Sequence, residues 1–308
     1  MISKVLNMDC LAGMKLIPDA TVDAIITSPP YWQCRDYGYD GQWGLEPTFN
    51  EYLQHLWGLM DEIYRVLKPE GTVWVNLGDT YSSSGESGGN PDKFPEKLSI
   101  KKPKQSIKNK CLLLLPHRFA IGCIDRGWIV RNDIIWAKRN GMPESVTDRF
   151  SKKHEYFFFM VKSEKYYFDL AAVKDKTITK DNLNRDRDTT KLNNIPGRSR
   201  MAGLKENNYD SKNPGTCSDF WDIPTKPNSK SHYATYNDAL ITKPILAGCP
   251  ENGTILDPFA GTCTTGLAAL RANRNFIGIE ASKEYYDAAM KNIDNYNSQT
   301  VLNFSPEK

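Results

Sequence analysis

Residues 253–280, GTILDPFAGTCTTGLAALRANRNFIGIE, give the clearest indication of the fold. An apolar strand leads into Asp257-Pro258-Phe259, then into a loop of small residues, Ala260-Gly261-Thr262-Cys263-Thr264, and then into a helical segment. Gly261 can adopt a positive φ and lets a ligand approach the backbone, while the helix N-terminus presents free N–H groups. A second apolar run ends at Glu280, where nucleotide-binding α/β folds place the acid that holds ribose hydroxyls. The stretch therefore predicts a nucleotide-type cofactor site, although the GxGxxG pattern of NAD enzymes is absent.

Strand-like and helical segments alternate along most of the chain. Strands are predicted over residues 4–9, 22–27, 71–77, 128–136, 155–161, 253–259 and 275–280, and helices over 49–67, 112–126, 264–272 and 283–296. Several strand runs are continuously apolar, which is typical of parallel strands covered on both faces. This alternation predicts an α/β sheet with helices on both faces.

The bulk composition excludes several classes of protein. The chain has 308 residues, of which 40% are hydrophobic and 25% charged, as in ordinary globular proteins. Its longest apolar run is too short to cross a bilayer, and its N-terminus lacks the apolar core of a secretory signal, so we expect a cytoplasmic protein. Seven cysteines without CxxC spacing and only four histidines argue against a metal site or a disulfide framework.

Two polar stretches, residues 82–110 and 172–218, interrupt the alternation. Residues 93–110 contain seven lysines and one acid, and residues 174–212 contain ten basic and six acidic side chains. Taken alone, such stretches are more often solvated loops than binding surfaces. Basic clusters in long loops nevertheless suit a polyanion better than the net charge of +3 indicates.

A second motif follows the strand at residues 22–27, within VDAIITSPPYWQC. The run ends in Ser28-Pro29-Pro30-Tyr31, where two prolines remove two backbone donors and fix two φ angles. On its own, a strand ended by a proline turn is an equally good interpretation.

The two motifs together resemble those of the S-adenosylmethionine-dependent DNA amino-methyltransferases, which methylate the exocyclic nitrogen of cytosine or adenine. SPPY comes first and DPFxGTxTTG comes late, an order that resembles the permuted, β-type members. The resemblance implies a Rossmann-like, doubly wound, mostly parallel sheet of seven strands with an antiparallel last strand. It also implies a catalytic domain over residues 1–171 and 219–308, with a basic insert at 82–110 and a target-recognition region at 172–218.

The resemblance further implies which residues hold S-adenosyl-L-methionine. NMDCLAGM (residues 7–14) resembles the family's segment beside the cofactor's adenine, and residues 231–234 resemble a segment that lines the pocket. The predicted cofactor-binding residues are Asp9, Cys10, Thr27, Ser231, His232, Tyr233, Asp257, Pro258, Phe259, Ala260, Gly261, Thr262, Cys263, Thr264 and Glu280. Cys263 stands where many members have glycine, so it adds a Cβ to the loop.

The predicted catalytic residues are Ser28, Pro29, Pro30 and Tyr31. The Ser28 hydroxyl and the Pro29 carbonyl can accept the two hydrogens of an exocyclic amine, and the Tyr31 ring offers a face for a flipped base. Members with serine at this position are mostly cytosine-N4 enzymes, which favours cytosine and leaves adenine open. Cytosine-C5 methylation needs a thiolate that its own family places after a proline, and none of the seven cysteines follows one.

Double-stranded DNA is the expected substrate. The predicted DNA contacts are Lys101, Lys102, Lys104, Arg185, Arg187, Arg198 and Arg200. A restriction endonuclease partner in the cell, a monomeric or homodimeric state, and methylation of RNA or protein all stay open. An alternative from another class of protein is a catalytically silent DNA-binding subunit. The intact SPPY motif and cofactor loop argue against this alternative.

Overall fold

The protein is described by a computed structural model for residues 3–82, 107–141, 144–174, 217–225 and 238–303, with side chains to residue 299. The strands are β1 (Ser3–Asn7), β2 (Val22–Thr27), β3 (Leu67–Leu77), β4 (Ile129–Ala137), β5 (His154–Val161), β6 (Phe220–Asp222), β7 (Thr254–Asp257) and β8 (Asn275–Glu280). The helices are α1 (Cys10–Met14), α2 (Phe49–Val66), α3 (Leu115–Asp125), α4 (Leu170–Val173), α5 (Asp238–Gly248), α6 (Thr264–Arg271) and α7 (Lys283–Asn303).

The strands form one mixed sheet in the order β1-β8-β7-β2-β3-β5-β4-β6. β5 runs antiparallel to both of its neighbours, β3 and β4, and every other described pairing is parallel. The α/β fold with a mostly parallel sheet is therefore confirmed. The antiparallel strand, which was predicted to be the last, is the fifth along the chain and lies inside the sheet between β3 and β4.

The number of strands differs from the prediction, since the sheet has eight strands instead of seven. The additional strand is β6, which pairs with β4 at the edge of the sheet. Its three residues, Phe220-Trp221-Asp222, are too few to show a strand period in the sequence.

Two groups of helices cover the sheet. α1, α2 and α3 pack in sequence against one another, and α5, α6 and α7 do the same. Along β3, Val73 and Val75 belong to the core under the first group, whereas Trp74, which alternates with them, meets Gly248 of α5. This alternation places the two groups on opposite faces, because successive side chains of a strand point to opposite sides.

The chain divides into two compact units. The first comprises Met1–Asp169 and Asp219–Lys308, and it contains the whole sheet. The second is Leu170–Ser218, in which α4 is described and the Cys217 thiol lies 2.8 Å from the carbonyl oxygen of Val173. The predicted target-recognition region, residues 172–218, ends at the same residue as this unit and begins two residues later. Its role in target recognition stays a prediction.

Candidate active site

A cavity of about 690 Å³ lies at the carboxyl ends of the parallel strands, within the first unit. β2 and β7 are neighbours in the sheet, with Ile25 level with Leu256, so the segments that follow them emerge side by side. The cavity is lined by the whole of Ser28-Pro29-Pro30-Tyr31 and by most of the loop after β7. The structure therefore brings together two motifs that are more than 220 positions apart in the chain.

The loop after β7 has the open backbone that its sequence predicts. Gly261 has a φ of +53° and nothing stands within 4 Å of the position that a Cβ would take. Cys263 also adopts a left-handed conformation, with a φ of 71°, and forms the N-cap of α6. Two left-handed residues turn the chain sharply before α6, which leaves the backbone of the loop accessible from the cavity.

Asp257 fixes the conformation of this loop through hydrogen bonds. Its carboxylate accepts hydrogen bonds from the Thr27 hydroxyl at 2.7 Å, the Thr265 hydroxyl at 2.7 Å and the Phe259 N–H at 3.1 Å. The residue is only 1% exposed. A buried carboxylate with this many donors fixes the two strand ends and the start of α6 relative to one another.

Glu280 also holds this loop, through a hydrogen bond to its backbone. One carboxylate oxygen accepts the Gly261 N–H at 2.8 Å, and the other accepts the Ser282 N–H at 2.8 Å. Burial raises the pKa of Glu280 above its ordinary value, against the effect of these backbone hydrogen bonds. Each oxygen keeps one further acceptor site, and the residue lines the cavity, so it can accept two more hydrogen bonds from a ligand.

Asp9 and Cys10 lie at the same edge, because β1 pairs with β8 and Asn7 is level with Glu280. The Asp9 carboxylate accepts the Ala12 N–H at 3.1 Å and caps α1, and both residues line the cavity. Burial raises the pKa of the Cys10 thiol, which therefore remains protonated.

Two of the predicted cofactor-binding residues do not line the cavity. Thr27 is buried beneath it, where its hydroxyl holds Asp257. Cys263 is fully buried, and its sulfur lies 2.2 Å from the position that a Cβ on Gly266 would take. The cysteine side chain thus points into the protein and away from the loop's open face, and burial raises its pKa to about 12.

The proline corner is packed against its surroundings on several sides. The Tyr52 hydroxyl donates to the Pro30 carbonyl at 2.9 Å. The Tyr31 ring packs against Gly78, where an added Cβ would lie 2.6 Å from a ring carbon. The corner is therefore held by contacts to α2 and to the end of β3 as well as by its own prolines.

A network of polar side chains, which the sequence analysis missed, surrounds Ser28 and Tyr31. The Tyr31 hydroxyl lies 2.8 Å from Glu155 Oε2 and 3.0 Å from Asn76 Oδ1, and the Ser28 hydroxyl lies 3.5 Å from the same Asn76 oxygen. Asn76 Nδ2 donates to the Tyr156 carbonyl at 2.9 Å, which fixes the orientation of its amide. Glu155 also forms an ion pair with Lys138, whose ammonium lies 4.5 Å from the centroid of the Trp136 ring.

The chemistry of this network follows from its burial. Burial, followed by the nearby Glu155 carboxylate, raises the pKa of Tyr31 well above its ordinary value, so its hydroxyl stays protonated and acts as a donor. Asn76, Lys138 and Glu155 all line the cavity. No local pattern predicts this group, since each member stands at the end of a different strand.

Arg35 is a further residue of the cavity that the sequence analysis missed. Its guanidinium atom Nη1 is buried and has no hydrogen-bond partner among the described residues. Among the described lining residues only Arg35 and Lys138 are cations, and Lys138 is paired with Glu155. Tyr37, Tyr39 and Tyr285 line the cavity beside it. A buried donor atom without a partner is costly, so Nη1 of Arg35 is available to bind an anionic group.

The remaining predicted residues lie outside the described residues. They are Ser231, His232 and Tyr233 of the cofactor set, and Lys101, Lys102, Lys104, Arg185, Arg187, Arg198 and Arg200 of the DNA set. Over the described ranges, no cluster of His, Cys, Asp and Glu has the arrangement of a metal site. No helix in the same ranges is long and apolar enough to cross a membrane.

Several solved structures share this fold. The PvuII DNA methyltransferase, described as cytosine-N4-specific, superimposes with a TM-score of 0.64 at 17% identity, covering 96% of this chain and 92% of its own. M1.HpyAVI in its complex with SAM superimposes with a TM-score of 0.55 at 20% identity, covering 95% of this chain and 99% of its own.

Sequence comparison gives the family. The type II methyltransferase M.Cfr9I of Citrobacter freundii is 35% identical over 296 residues, which cover 95% of this chain and 88% of the relative. M.SmaI of Serratia marcescens is 34% identical over 293 residues, which cover 94% and 90%. The profile of the N6/N4 methylases, described as DNA methylase, matches residues 22–291. The chain therefore belongs to the N6/N4 DNA methylase family and is a DNA methyltransferase.

Proposed function

We propose that this protein transfers a methyl group from S-adenosyl-L-methionine to the exocyclic N4 of a cytosine flipped out of double-stranded DNA. The observation that carries the proposal is the single cavity lined by both Ser28 and Gly261. An acceptor for an amine and an open glycine loop for a cofactor have to face each other for direct transfer, and a shared cavity meets that requirement.

The residues of the cavity fit this cofactor. It carries a ribose, an aromatic base, a carboxylate and a sulfonium, and when bound it supplies an electrophilic methyl group. Glu280 offers two carboxylate oxygens to the ribose hydroxyls, and Asp9 lies at the same edge. The unpartnered Nη1 of Arg35 offers a charge-assisted hydrogen bond to the carboxylate. Tyr37, Tyr39 and Phe259 supply aromatic walls.

Ser28 orients the target amine in this proposal. Its hydroxyl points its proton toward Asn76 Oδ1, which leaves the oxygen lone pairs for an N–H of the base. The Pro29 carbonyl accepts the second N–H. With both hydrogens held, the nitrogen lone pair is directed at the incoming methyl group, and these fixed acceptors stabilise the positive charge that develops on nitrogen. The methylated nitrogen then loses one proton to solvent, so no strong general base is required.

Tyr31 and the network around it form the pocket for the base. The tyrosine hydroxyl is fixed by Asn76 and Glu155, so the position of its ring is fixed as well. The Lys138 ammonium can donate to ring acceptors of the base, since cytosine presents N3 and O2 next to its amine. These contacts would be made without a large rearrangement, because the side chains are already ordered by one another.

Cytosine is favoured over adenine on two grounds. Serine occupies the first position of the tetrapeptide, and the PvuII enzyme with the same fold is described as cytosine-N4-specific. The relatives M.Cfr9I and M.SmaI are type II methyltransferases, which supports a role in restriction–modification beside a separate endonuclease. In the same proposal, the Leu170–Ser218 unit reads the target sequence and the basic residues of the 82–110 insert contact phosphates.

Product analysis tests the proposal. The protein is incubated with S-adenosylmethionine carrying a labelled methyl group and with mixed-sequence duplex DNA, and the digested nucleosides are identified by mass. We expect labelled N4-methylcytosine. N6-methyladenine would overturn the choice of base, and binding of cofactor and DNA without any labelled nucleoside would favour a catalytically silent subunit.

A further inference from the structure

The loop between β4 and β5, which begins and ends beside the cavity, presents one unusually exposed aromatic side chain. Phe150 is 96% exposed, whereas the next most exposed large hydrophobic side chain in the described ranges, Leu16, is 64% exposed. Single exposed hydrophobic residues are common on surfaces and need no explanation by themselves. The position and the support of Phe150 distinguish it.

The loop is tied to the cavity at both ends. Lys138 and Asn140 precede it and Glu155 follows it, and all three line the cavity. The Lys138 N–H donates to the Lys153 carbonyl at 2.8 Å, which brings the two ends of the loop together. The loop that carries Phe150 therefore begins and ends beside the half of the cavity that contains Tyr31, Asn76 and Glu155.

Polar contacts hold the backbone on each side of Phe150. Arg149 donates to the Phe150 carbonyl at 3.0 Å and to the Glu144 carboxylate at 2.6 Å, and its guanidinium lies 4.1 Å from the centroid of the Tyr81 ring. The Lys152 ammonium donates to the Asp79 carbonyl, and the Lys152 N–H donates to Glu144 at 3.3 Å. Asp79 follows Gly78, against which the Tyr31 ring packs. The side chain is thus displayed by a supported loop.

The loop that carries Phe150 is basic. Arg149, Lys152 and Lys153 lie in the same loop, and Lys110 contacts it through Asp148. These four cations outnumber the two acids Glu144 and Asp148, which pair with Arg149 and Lys110. Cations around an exposed ring are the arrangement found where proteins bind nucleic acids through phosphate contacts and base stacking.

We propose that Phe150 inserts into the DNA duplex at the position that the flipped base vacates. The proposal rests on the proposed function, since it needs a base to be flipped into the adjacent cavity. Flipping costs unstacking and unpairing, and proteins that distort duplexes often insert an apolar side chain between base steps. The Phe150 ring would restore stacking in the gap while the surrounding cations hold the phosphates.

A substrate comparison tests this role. The sequence that the parent protein methylates is prepared as a matched duplex and as the same duplex with a mismatch opposite the target base. A mismatched base is already unpaired, so its flipping depends less on a wedge. We expect Phe150→Ala to lower the single-turnover methylation rate on the matched duplex about 10- to 100-fold, and on the mismatched duplex by only about threefold.

Two further variants complete the experiment. Phe150→Trp keeps an aromatic ring and is expected to retain the parent rate, while Ile121→Ala removes an exposed hydrophobic side chain from α3 and serves as the matched control. With 2-aminopurine paired with thymine at the target position, so that the probe is not mismatched, the parent protein should increase its fluorescence and Phe150→Ala should increase it much less.

The outcomes separate the two proposals. Equal rates for Phe150→Ala and the parent, or an equal loss on both duplexes, would overturn the wedge and leave the proposed function standing. If the equal loss accompanied conversion of a dimer to a monomer in light scattering, Phe150 would be a contact between copies of the chain. A parent protein that methylates neither duplex would instead contradict the proposed function, and the wedge with it.

Discussion

The two halves of the cavity are built in different ways. The half around Gly261 is centred on a loop of consecutive residues whose backbone is held by Asp257 and Glu280, and the side chains of Glu280 and Arg35 complete it. The half around Tyr31 consists of side chains from the ends of β2, β3, β4 and β5, which contact one another. A site built from backbone atoms is specified by local conformation, whereas a site built from side chains depends on every strand being in register.

This difference indicates how each half should respond to change. Removing a side chain from the Tyr31 half removes a group that meets the base, so the effect should fall on catalysis. Removing a side chain from the Gly261 half should instead lower the affinity for the cofactor.

Ser28→Ala removes one of the two fixed acceptors of the target amine. We expect kcat to fall about 10²- to 10³-fold, as for the loss of one preorganised hydrogen-bond partner elsewhere, because the lone pair is no longer directed at the methyl group. Calorimetry should show the cofactor Kd within about twofold of the parent value. Ser298→Ala, on the exposed surface of α7, is the matched control. A large loss of cofactor affinity in Ser28→Ala would contradict the separation of the two halves.

Arg35→Met should act in the opposite way. A hydrogen bond to a charged group contributes about 1.5–3 kcal/mol, so we expect the cofactor Kd to rise about 10- to 100-fold. The same change removes a buried, unpartnered guanidinium atom, so the ligand-free protein should keep or gain thermal stability. Arg131→Gln changes an exposed arginine of β4 and should alter neither property. Unchanged affinity in Arg35→Met would exclude the assigned carboxylate contact.

Glu280 should make cofactor binding depend on pH. As the pH falls through the raised pKa of Glu280, the carboxylate gains a proton and loses acceptor capacity, so affinity should decrease by about tenfold. The stability of the ligand-free protein should depend on pH in the opposite direction, decreasing as the pH rises. A raised folded-state pKa contributes stability that is complete below the ordinary value of 4.5 and is lost as the pH rises through the folded-state pKa.

Glu280→Gln provides the control for that measurement. Glutamine cannot titrate, so the pH dependence of affinity in this window should disappear and the affinity should be lower than that of the parent at neutral pH. The measurement is calorimetric titration with S-adenosylmethionine at several pH values. A variant that retains the parent's pH dependence would assign that dependence to a group other than Glu280.

Tyr31→Phe tests the smallest expected effect. The ring is kept, so a base can still stack on it, but Glu155 and Asn76 lose the hydroxyl that lies 2.8 and 3.0 Å away. We expect kcat to fall about tenfold or less, and the free energy of unfolding to fall by about 1–2 kcal/mol. Tyr167→Phe, at a half-buried tyrosine outside the cavity, is the matched control in denaturant unfolding. An equal loss of activity in Tyr31→Phe and Tyr31→Ala would show that the hydroxyl network matters more than the ring.

Most elements of the fold were predictable where the pattern was long and regular. The helix expected over 49–67 is Phe49–Val66, and the strand expected over 275–280 is Asn275–Glu280. Helix α5 (Asp238–Gly248) was not predicted, because Pro244 lies inside it and proline normally ends a helix. Strand β6 was missed because three residues carry no period.

Local sequence patterns were sufficient to predict the strand–helix alternation, the left-handed loop at Gly261 and the stiff corner at Ser28, since each depends on neighbours within a few positions. Sequence patterns did not predict that Asn76 and Glu155 contact Tyr31, that Lys138 pairs with Glu155, that Nη1 of Arg35 has no partner or that Phe150 is exposed. Periodicity and turn chemistry act between residues of one element, whereas these contacts arise when the sheet aligns strand ends that lie far apart in the chain.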